Sequence, residues 1–303
     1  MDLRRYLEEK KSLVDSALEK WFPPLEGTSG YEKLLSSLHR AVRHSLFAGG
    51  KRIRPILCMA SHEAVGGKGE RILPFACALE MIHTYSLIHD DLPALDNDDY
   101  RRGKPTCHHV FGEAMAILAG DALLTEAFRI MTDWQPGRDC GEGWGMLEVV
   151  HRVARAAGIG GMVGGQVVDI EAEGREVDLA TLQFIHTHKT GAMILVSVQT
   201  GARLGGATNA GFNALTRYGE RIGLAFQIAD DILDVEGKVE ILGKTPGSDR
   251  SKMKATYPSV VGLEESKRRA KELVEGALEA LSNFGAEADP LRKIGRFIVE
   301  RDY

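Results

Sequence analysis

Asp90-Asp91-Leu92-Pro93-Ala94-Leu95-Asp96 runs directly into Asn97-Asp98-Asp99, placing five carboxylates within ten residues. They follow a long apolar stretch of helical character, so the acids stand where a helix should end. Carboxylates at a helix C-terminus oppose its dipole. Pro93 cannot continue a regular helix without losing a hydrogen bond and clashing one turn back. The chain should therefore bend there and bring Asp96 round towards Asp90. A solvated helix end is the plain alternative, but an arrangement with that electrostatic cost suits divalent cations better.

A second acidic set lies at Asp230-Asp231-Ile232-Leu233-Asp234. With Gln227 it follows i, i+3, i+4, i+7, the spacing of one helix face. Taken alone, an exposed face and a cation site explain that stripe about equally well. Together the two sets favour Mg²⁺, which keeps several waters and is held by a few carboxylates plus substrate phosphates. Two acidic clusters on separate helices suggest one diphosphate clamped between them by several ions. Such a clamp needs both helices in one domain over residues 1–303, against the two domains that this length would ordinarily suggest.

A diphosphate site also needs basic groups. Gly49-Gly50-Lys51-Arg52-Ile53-Arg54-Pro55 reads as a loop entering a helix, with Pro55 suited to the first helical position. Arg101 and Arg102 follow the first acidic cluster, Lys189-Thr190 follows His186 and His188, and Lys244 and Lys254 lie beyond the second cluster. His186 and His188, two apart on a helix, point to different faces and are no metal pair. Two other patterns fail on spacing. Gly237 is separated from Gly243 by five residues, one more than a phosphate-binding loop has, and Gly158–Gly164 is GxGxxxG rather than GxGxxG. Both fit turns and close helix packing better than nucleotide sites.

The elements that must position these groups are helical. Periodicity predicts helices over 2–21, 31–47, 55–65, 72–91, 111–132, 144–158, 179–202, 218–235 and 263–283. Breaks rich in Gly, Pro or Asp fall at 22–30, 134–145, 204–211 and 236–251. No Asn-Gly or Asp-Gly hairpin signal divides the chain, so the expected class is all-α.

In order along nearly the whole chain, several segments resemble the polyprenyl (trans-isoprenyl) diphosphate synthase family, close to its bacterial farnesyl branch. They are GGKRIRP at 49–55, EMIHTYSLIHDDLPALDNDDYRRGKPTCH at 80–108, GDALLTEAF at 120–128, GGQVVDIEAEG at 164–174, HKTGAM at 188–193, FQIADDILD at 226–234 and GKTPGSDRSKMKATYP at 243–258. The resemblance implies a single-domain helical bundle of the isoprenoid synthase type, a deep central cavity and a homodimer. It also implies head-to-tail condensation of isopentenyl diphosphate with an allylic diphosphate, dimethylallyl or geranyl, with three Mg²⁺ per active site. By position, Asp90, Asp96 and Asp230 would contact the ions, with Asp91 and Asp234 supporting. Lys51, Arg54, His83 and Arg102 would hold isopentenyl diphosphate; Arg101, Lys189, Lys244 and Lys254 would hold the allylic diphosphate. Thr190, Gln227 and Asp169 would line the reacting region. Asp90, Asp96, Arg101, Lys189, Asp230 and Lys244 are thereby the expected catalytic set.

Product length can be argued along the helix that descends from Asp90 at ~1.5 Å per residue. Ser86, one turn below, leaves room, whereas Tyr85, about 7–8 Å below, is bulky and could close a floor. An aromatic there resembles the farnesyl pattern and implies a C15 product. Geranylgeranyl or mixed-length synthesis is the runner-up. A class I terpene cyclase would not need the isopentenyl diphosphate set. A non-catalytic regulatory subunit would have lost acids that both motifs here retain.

Composition excludes little else but agrees. Lys plus Arg is 38 against 43 Asp plus Glu, a net charge of −5, so no basic footprint for nucleic acid is expected. No apolar run reaches the ~18 residues of a membrane span. The first residues lack the apolar core of a signal peptide. Cys58, Cys77, Cys107 and Cys140 form neither a disulfide framework nor a zinc pattern. A cytoplasmic protein is the expectation.

Overall fold

The computed structural model describes residues 1–25, 30–133, 143–236 and 255–299. In chain order its helices begin with α1 (Leu3–Trp21), α2 (Tyr31–Leu34), α3 (Ser36–Leu46), α4 (Ile53–Ala64) and α5 (Leu73–Asp90). Next come α6 (Cys107–Phe111), α7 (Glu113–Met131), α8 (Gly143–Ala157) and α9 (Met162–Ala172). α10 (Leu179–Ile185) continues through a π-helical turn, His186–Gly191, into α11 (Ala192–Leu204). α12 (Asn209–Glu236), α13 (Tyr257–Val261), α14 (Leu263–Ala280) and α15 (Asp289–Val299) complete the described chain.

The fold is all-α, as expected, with one small addition. Strands β1 (Tyr100–Arg101) and β2 (Lys104–Pro105) form a hairpin. Its two turn residues, Arg102 and Gly103, both have positive φ, 54° and 74°. That is the I′ geometry whose twist matches paired strands, and Asn or Asp usually occupies the first position. Arg in that place left no hairpin signal to read.

The chain divides into two compact units. One is Leu7–Ile56 with Leu73–Arg138; the other is Met1–Tyr6, Leu57–Ile72 and Asp139–Tyr303. In the first, α5 is apolar on nearly every face and buries Phe75, Leu79, Ile82 and Ile88. It packs along α7, with α3 against both. Each such side chain removed from water contributes about 1.5–3 kcal/mol, which fixes the helix whose end carries Asp90. In the second unit α12 is the central element, packed by α11 and α14. Leu182, Ile228, Ile232, Tyr257 and Ala270 form a buried cluster there, beneath the acidic end of α12.

Three helical stretches differ from the sequence expectation. α9 forms although Gly164 and Gly165 lower its intrinsic propensity. α12 starts at Asn209 rather than 218, so Gly211 lies inside a helix and not in the break. α15 buries Leu291, Ile294 and Ile298, an amphipathic pattern beyond the last expected helix. Pro55 sits two residues inside α4, still in the first turn, where its missing N–H has no intrahelical partner to lose.

Candidate active site

At the end of α5 the chain turns back as Pro93 requires. The Asp96 N–H donates to the Asp90 carbonyl at 2.8 Å, and Asn97, with φ 52°, donates to the Leu92 carbonyl at 3.1 Å. Asp91 points into the protein and is 3% exposed. Arg101 Nε donates to Asp91 Oδ1 at 2.5 Å, and Arg101 Nη2 to Asp98 Oδ2 at 3.0 Å. Burial is the main cause that pushes the Asp91 carboxyl up to about 6, against the pull of Arg101; the charges of Asp98 and Asp90 add to the rise. The hairpin thus brings the expected allylic-diphosphate arginine onto the expected metal motif, through Asp91.

Arg102, the next residue, reaches the loop before α4 and donates from Nη1 to the Gly49 carbonyl. Lys51 is exposed and Arg54 half-buried on the same segment. His83 on α5 lies within the field of these cations. Burial, then Arg54, Arg102, Arg101 and Arg52, hold its imidazole well below the usual histidine range, so it is neutral at pH 7. The four residues expected to hold isopentenyl diphosphate therefore belong to one unit, and two of them, Arg54 and Arg102, act electrostatically on a third, His83. Arg52 and Glu80, buried beside them, were not singled out from the sequence; one lies in the same loop, and the other a turn before His83.

In the second unit, Lys189 Nζ donates to Asp169 Oδ2 at 2.6 Å. The pairing depends on Gly165 of α9. A Cβ there would lie 2.2 Å from the Lys189 backbone nitrogen, so α9 lies directly on the π-helical turn. Thr190 is half-buried on that turn, and Gln227, Asp230 and Asp234 are half-buried on α12. His186 and His188 do face different surroundings: His186 is buried and stacked on Tyr257, while His188 is half-buried and stacks on Phe184. Lys244, Lys254, Cys140 and the tail 300–303 lie outside the described residues.

Tyr85 is buried, its ring edge-on to His89 with centroids 5.6 Å apart. Burial, and secondly the charge of Asp90, raise its hydroxyl pKa, so the ring lies within the field of the first aspartate. Ser86 Oγ donates to the His83 carbonyl at 2.9 Å.

Among the described residues no three His, Cys, Asp or Glu groups stand close enough to cage a cation by themselves. Mg²⁺ does not require such a cage, because one or two carboxylates with substrate phosphates and water complete its octahedron. The carboxylate oxygens of Asp90 and Asp96, with Asp96 folded back on Asp90, fit that mode.

Two acid-rich helix segments with companion lysines and arginines, on an all-α scaffold, define an enzyme that handles diphosphates. The chain belongs to the polyprenyl synthetase family, whose model matches residues 36–289, and it is a trans-prenyl diphosphate synthase. It is 46% identical to the farnesyl diphosphate synthase of Geobacillus stearothermophilus, covering 100% of this chain and 99% of that one. It is 49% identical to the geranylgeranyl diphosphate synthase of Cyanophora paradoxa, over 99% and 97%. Among solved structures, an FPP/GFPP synthase from Zymomonas mobilis aligns with a TM-score of 0.84 and 38% identity, over 98% of each chain. The family is generally metal-dependent. No helix of the described residues is long and apolar enough to cross a membrane.

Proposed function

We propose that this enzyme condenses isopentenyl diphosphate head-to-tail with dimethylallyl and geranyl diphosphates, releasing farnesyl diphosphate and inorganic diphosphate. It would do so as a single-domain, cytoplasmic homodimer with a deep cavity among its helices. The observation that carries the reading is the end of α5, where Asp96 closes on Asp90 and Arg101 is tied to Asp91. Acids for a cation and bases for a diphosphate are side by side.

Asp90, Asp96 and Asp230, supported by Asp91 and Asp234, would hold Mg²⁺, three ions per site; when bound, Mg²⁺ stabilises negative charge on the leaving diphosphate. Arg101 and Lys189, with Lys244 and Lys254, grip the same allylic diphosphate. Asp169 keeps the Lys189 ammonium aimed, and Thr190 and Gln227 line the reacting carbon. Lys51, Arg54 and Arg102 hold isopentenyl diphosphate, with neutral His83 contributing an N–H. As the allylic C1–O bond breaks, the double bond of isopentenyl diphosphate attacks C1. A proton then leaves its C2 to the released diphosphate, since no side chain stands out as a base. The apolar body of α5 excludes water that would quench the allylic cation.

Buried Tyr85, held edge-on by His89, supports a C15 stop. The 49% identity to a geranylgeranyl synthase favours the second reading, a C20 product. Incubation of the purified enzyme with isopentenyl diphosphate and each allylic starter, with and without Mg²⁺, decides. Mg²⁺-dependent C15 that is not extended supports the proposal. A C20 product retains the enzyme class and removes the Tyr85 floor. No condensation with any starter favours a regulatory subunit.

A further inference from the structure

Arg52 is an arginine with no exposed function. It is 2% exposed, yet each nitrogen of its guanidinium is engaged: Nε donates to Asp15 Oδ1 at 2.8 Å, Nη1 to Glu80 Oε1 at 2.6 Å and Nη2 to the Leu46 carbonyl at 2.7 Å. Its φ of 52° lies in the left-handed region, which a non-glycine residue occupies at a cost. Backbone strain of this kind persists only where the surroundings over-determine it. Glu80 is 1% exposed and is shared, since Arg102 Nη2 stands 4.0 Å from the same Oε1. Arg102 is itself left-handed and lies over Gly50, where a Cβ would fall 2.6 Å from its Cζ. Two strained arginines therefore converge on one buried carboxylate, with the Gly49–Gly50 backbone between them.

A buried ion pair contributes little net stability compared with apolar packing, because both charges lose their water. What this one does is geometric. It fixes the loop from Leu46 to Arg52 and, through it, where Lys51 and Arg54 emerge on either side of Arg52. It also fixes the guanidinium of Arg102 relative to both.

We propose that Arg52 and Glu80 are positioning residues for isopentenyl diphosphate: a buried pair that presents Lys51, Arg54 and Arg102 as one preformed diphosphate subsite. This rests on the assignment of those three residues above. The sign of the effect separates positioning from simple charge. Glu80 is an anion beside a site for an anion, so Coulomb attraction alone makes Glu80→Gln bind diphosphate more tightly. Positioning makes it bind more weakly, since both arginines lose their shared anchor.

The test is steady-state kinetics of Glu80→Gln and Arg52→Lys, the latter keeping the charge but losing the three-way fork. We expect KM for isopentenyl diphosphate to rise about tenfold or more in both, the loss of a charged hydrogen bond. KM for geranyl diphosphate and the Mg²⁺ half-saturation should stay within about twofold. An unchanged or lowered KM for isopentenyl diphosphate overturns the proposal, as does an equal rise for both substrates. If either variant fails to fold by circular dichroism, Asp15→Asn, at the half-exposed end of the fork, should show the same selective rise on a smaller scale; its absence overturns the proposal too. Should the wild-type enzyme not consume isopentenyl diphosphate at all, the failure lies with the functional reading rather than with the pair.

Discussion

Asp231 Oδ2 accepts the backbone N–H of Tyr257 at 2.7 Å, joining the acidic segment of α12 to the start of α13. The first N–H groups of a helix have no partner within it, and here a carboxylate from another helix supplies one. His186 Nε2 stands 3.4 Å from the same oxygen, and Gln183 Nε2 donates to the Tyr257 hydroxyl at 2.7 Å. Asp231, one residue after the expected metal ligand Asp230, thus has a structural partner of its own. Asp231→Ala should destabilise the enzyme by about 1–2 kcal/mol, the scale of a lost helix-end acceptor. Asp231→Asn, which can still accept from Tyr257, should lose less. Urea denaturation of both checks this; equal losses would indicate that the charge, not the acceptor, matters.

Gly165→Ala would place a methyl 2.2 Å from the Lys189 nitrogen. Backbone cannot yield as a side-chain tip can, so α9 must move off the π-helical turn, at about 1–3 kcal/mol for overpacking. The Asp169–Lys189 bond would lengthen with it. We expect a lower Tm together with a fall in kcat/KM for the allylic substrate of about tenfold or more. A variant that loses stability but keeps full activity would show that the pairing does not orient Lys189.

Burial lowers the His186 imidazole to about 4, with Asp169 opposing and Lys189 adding to the shift. An unfolded histidine titrates near 6.5. Between these values the unfolded chain holds a proton that the folded one does not, so stability rises with pH across this window. The contribution is complete above pH ~6.5, falls away as pH drops towards ~4, and is of the order of a few kcal/mol. Tm measured from pH 7.5 to 4.5 should show a flatter profile in His186→Gln than in wild type. Parallel profiles would mean that other groups dominate.

Tyr85→Ala opens the space beside His89 and should move the product from C15 towards C20. Truncating a large buried aromatic ring also costs about 3–5 kcal/mol, so the assay belongs well below the variant's Tm. Chain-length analysis of the products is the readout. Unchanged C15 output removes the floor argument.

Much of the site was legible because its chemistry is local in sequence. Pro93 between Asp90 and Asp96 foretold the turn that the Asp96 N–H closes, and i, i+3, i+4, i+7 placed Gln227 and the acids of α12 on one helix. What the sequence hid depends on distant partners. Arg52 pairs with Glu80 twenty-eight positions away and with Asp15 thirty-seven away, and no periodic signal links them. α9 was obscured by glycines that weaken a helix alone yet permit it to lie on the π-helical turn. α15 was within reach, since Leu291, Ile294 and Ile298 keep helical spacing, but a preceding Asp-Pro reads as loop.

The π-helical turn at His186–Gly191 holds one more residue than an α-helix would use to cover that distance. Each residue of an α-helix turns the axis by about 100°. The extra one therefore sets the phase between α10 and α11, like a washer inserted in a threaded rod. Leu182 and Ile185 before the turn, and Met193, Val196 and Val198 after it, are all buried, and Leu182 packs in the cluster with Ile228 and Tyr257. Deleting a single residue there would leave both helices intact and swing α10 by about that angle, carrying Leu182 away from Ile228 and Tyr257. Homologous chains should accordingly keep the length of this turn as strictly as they keep Lys189 within it.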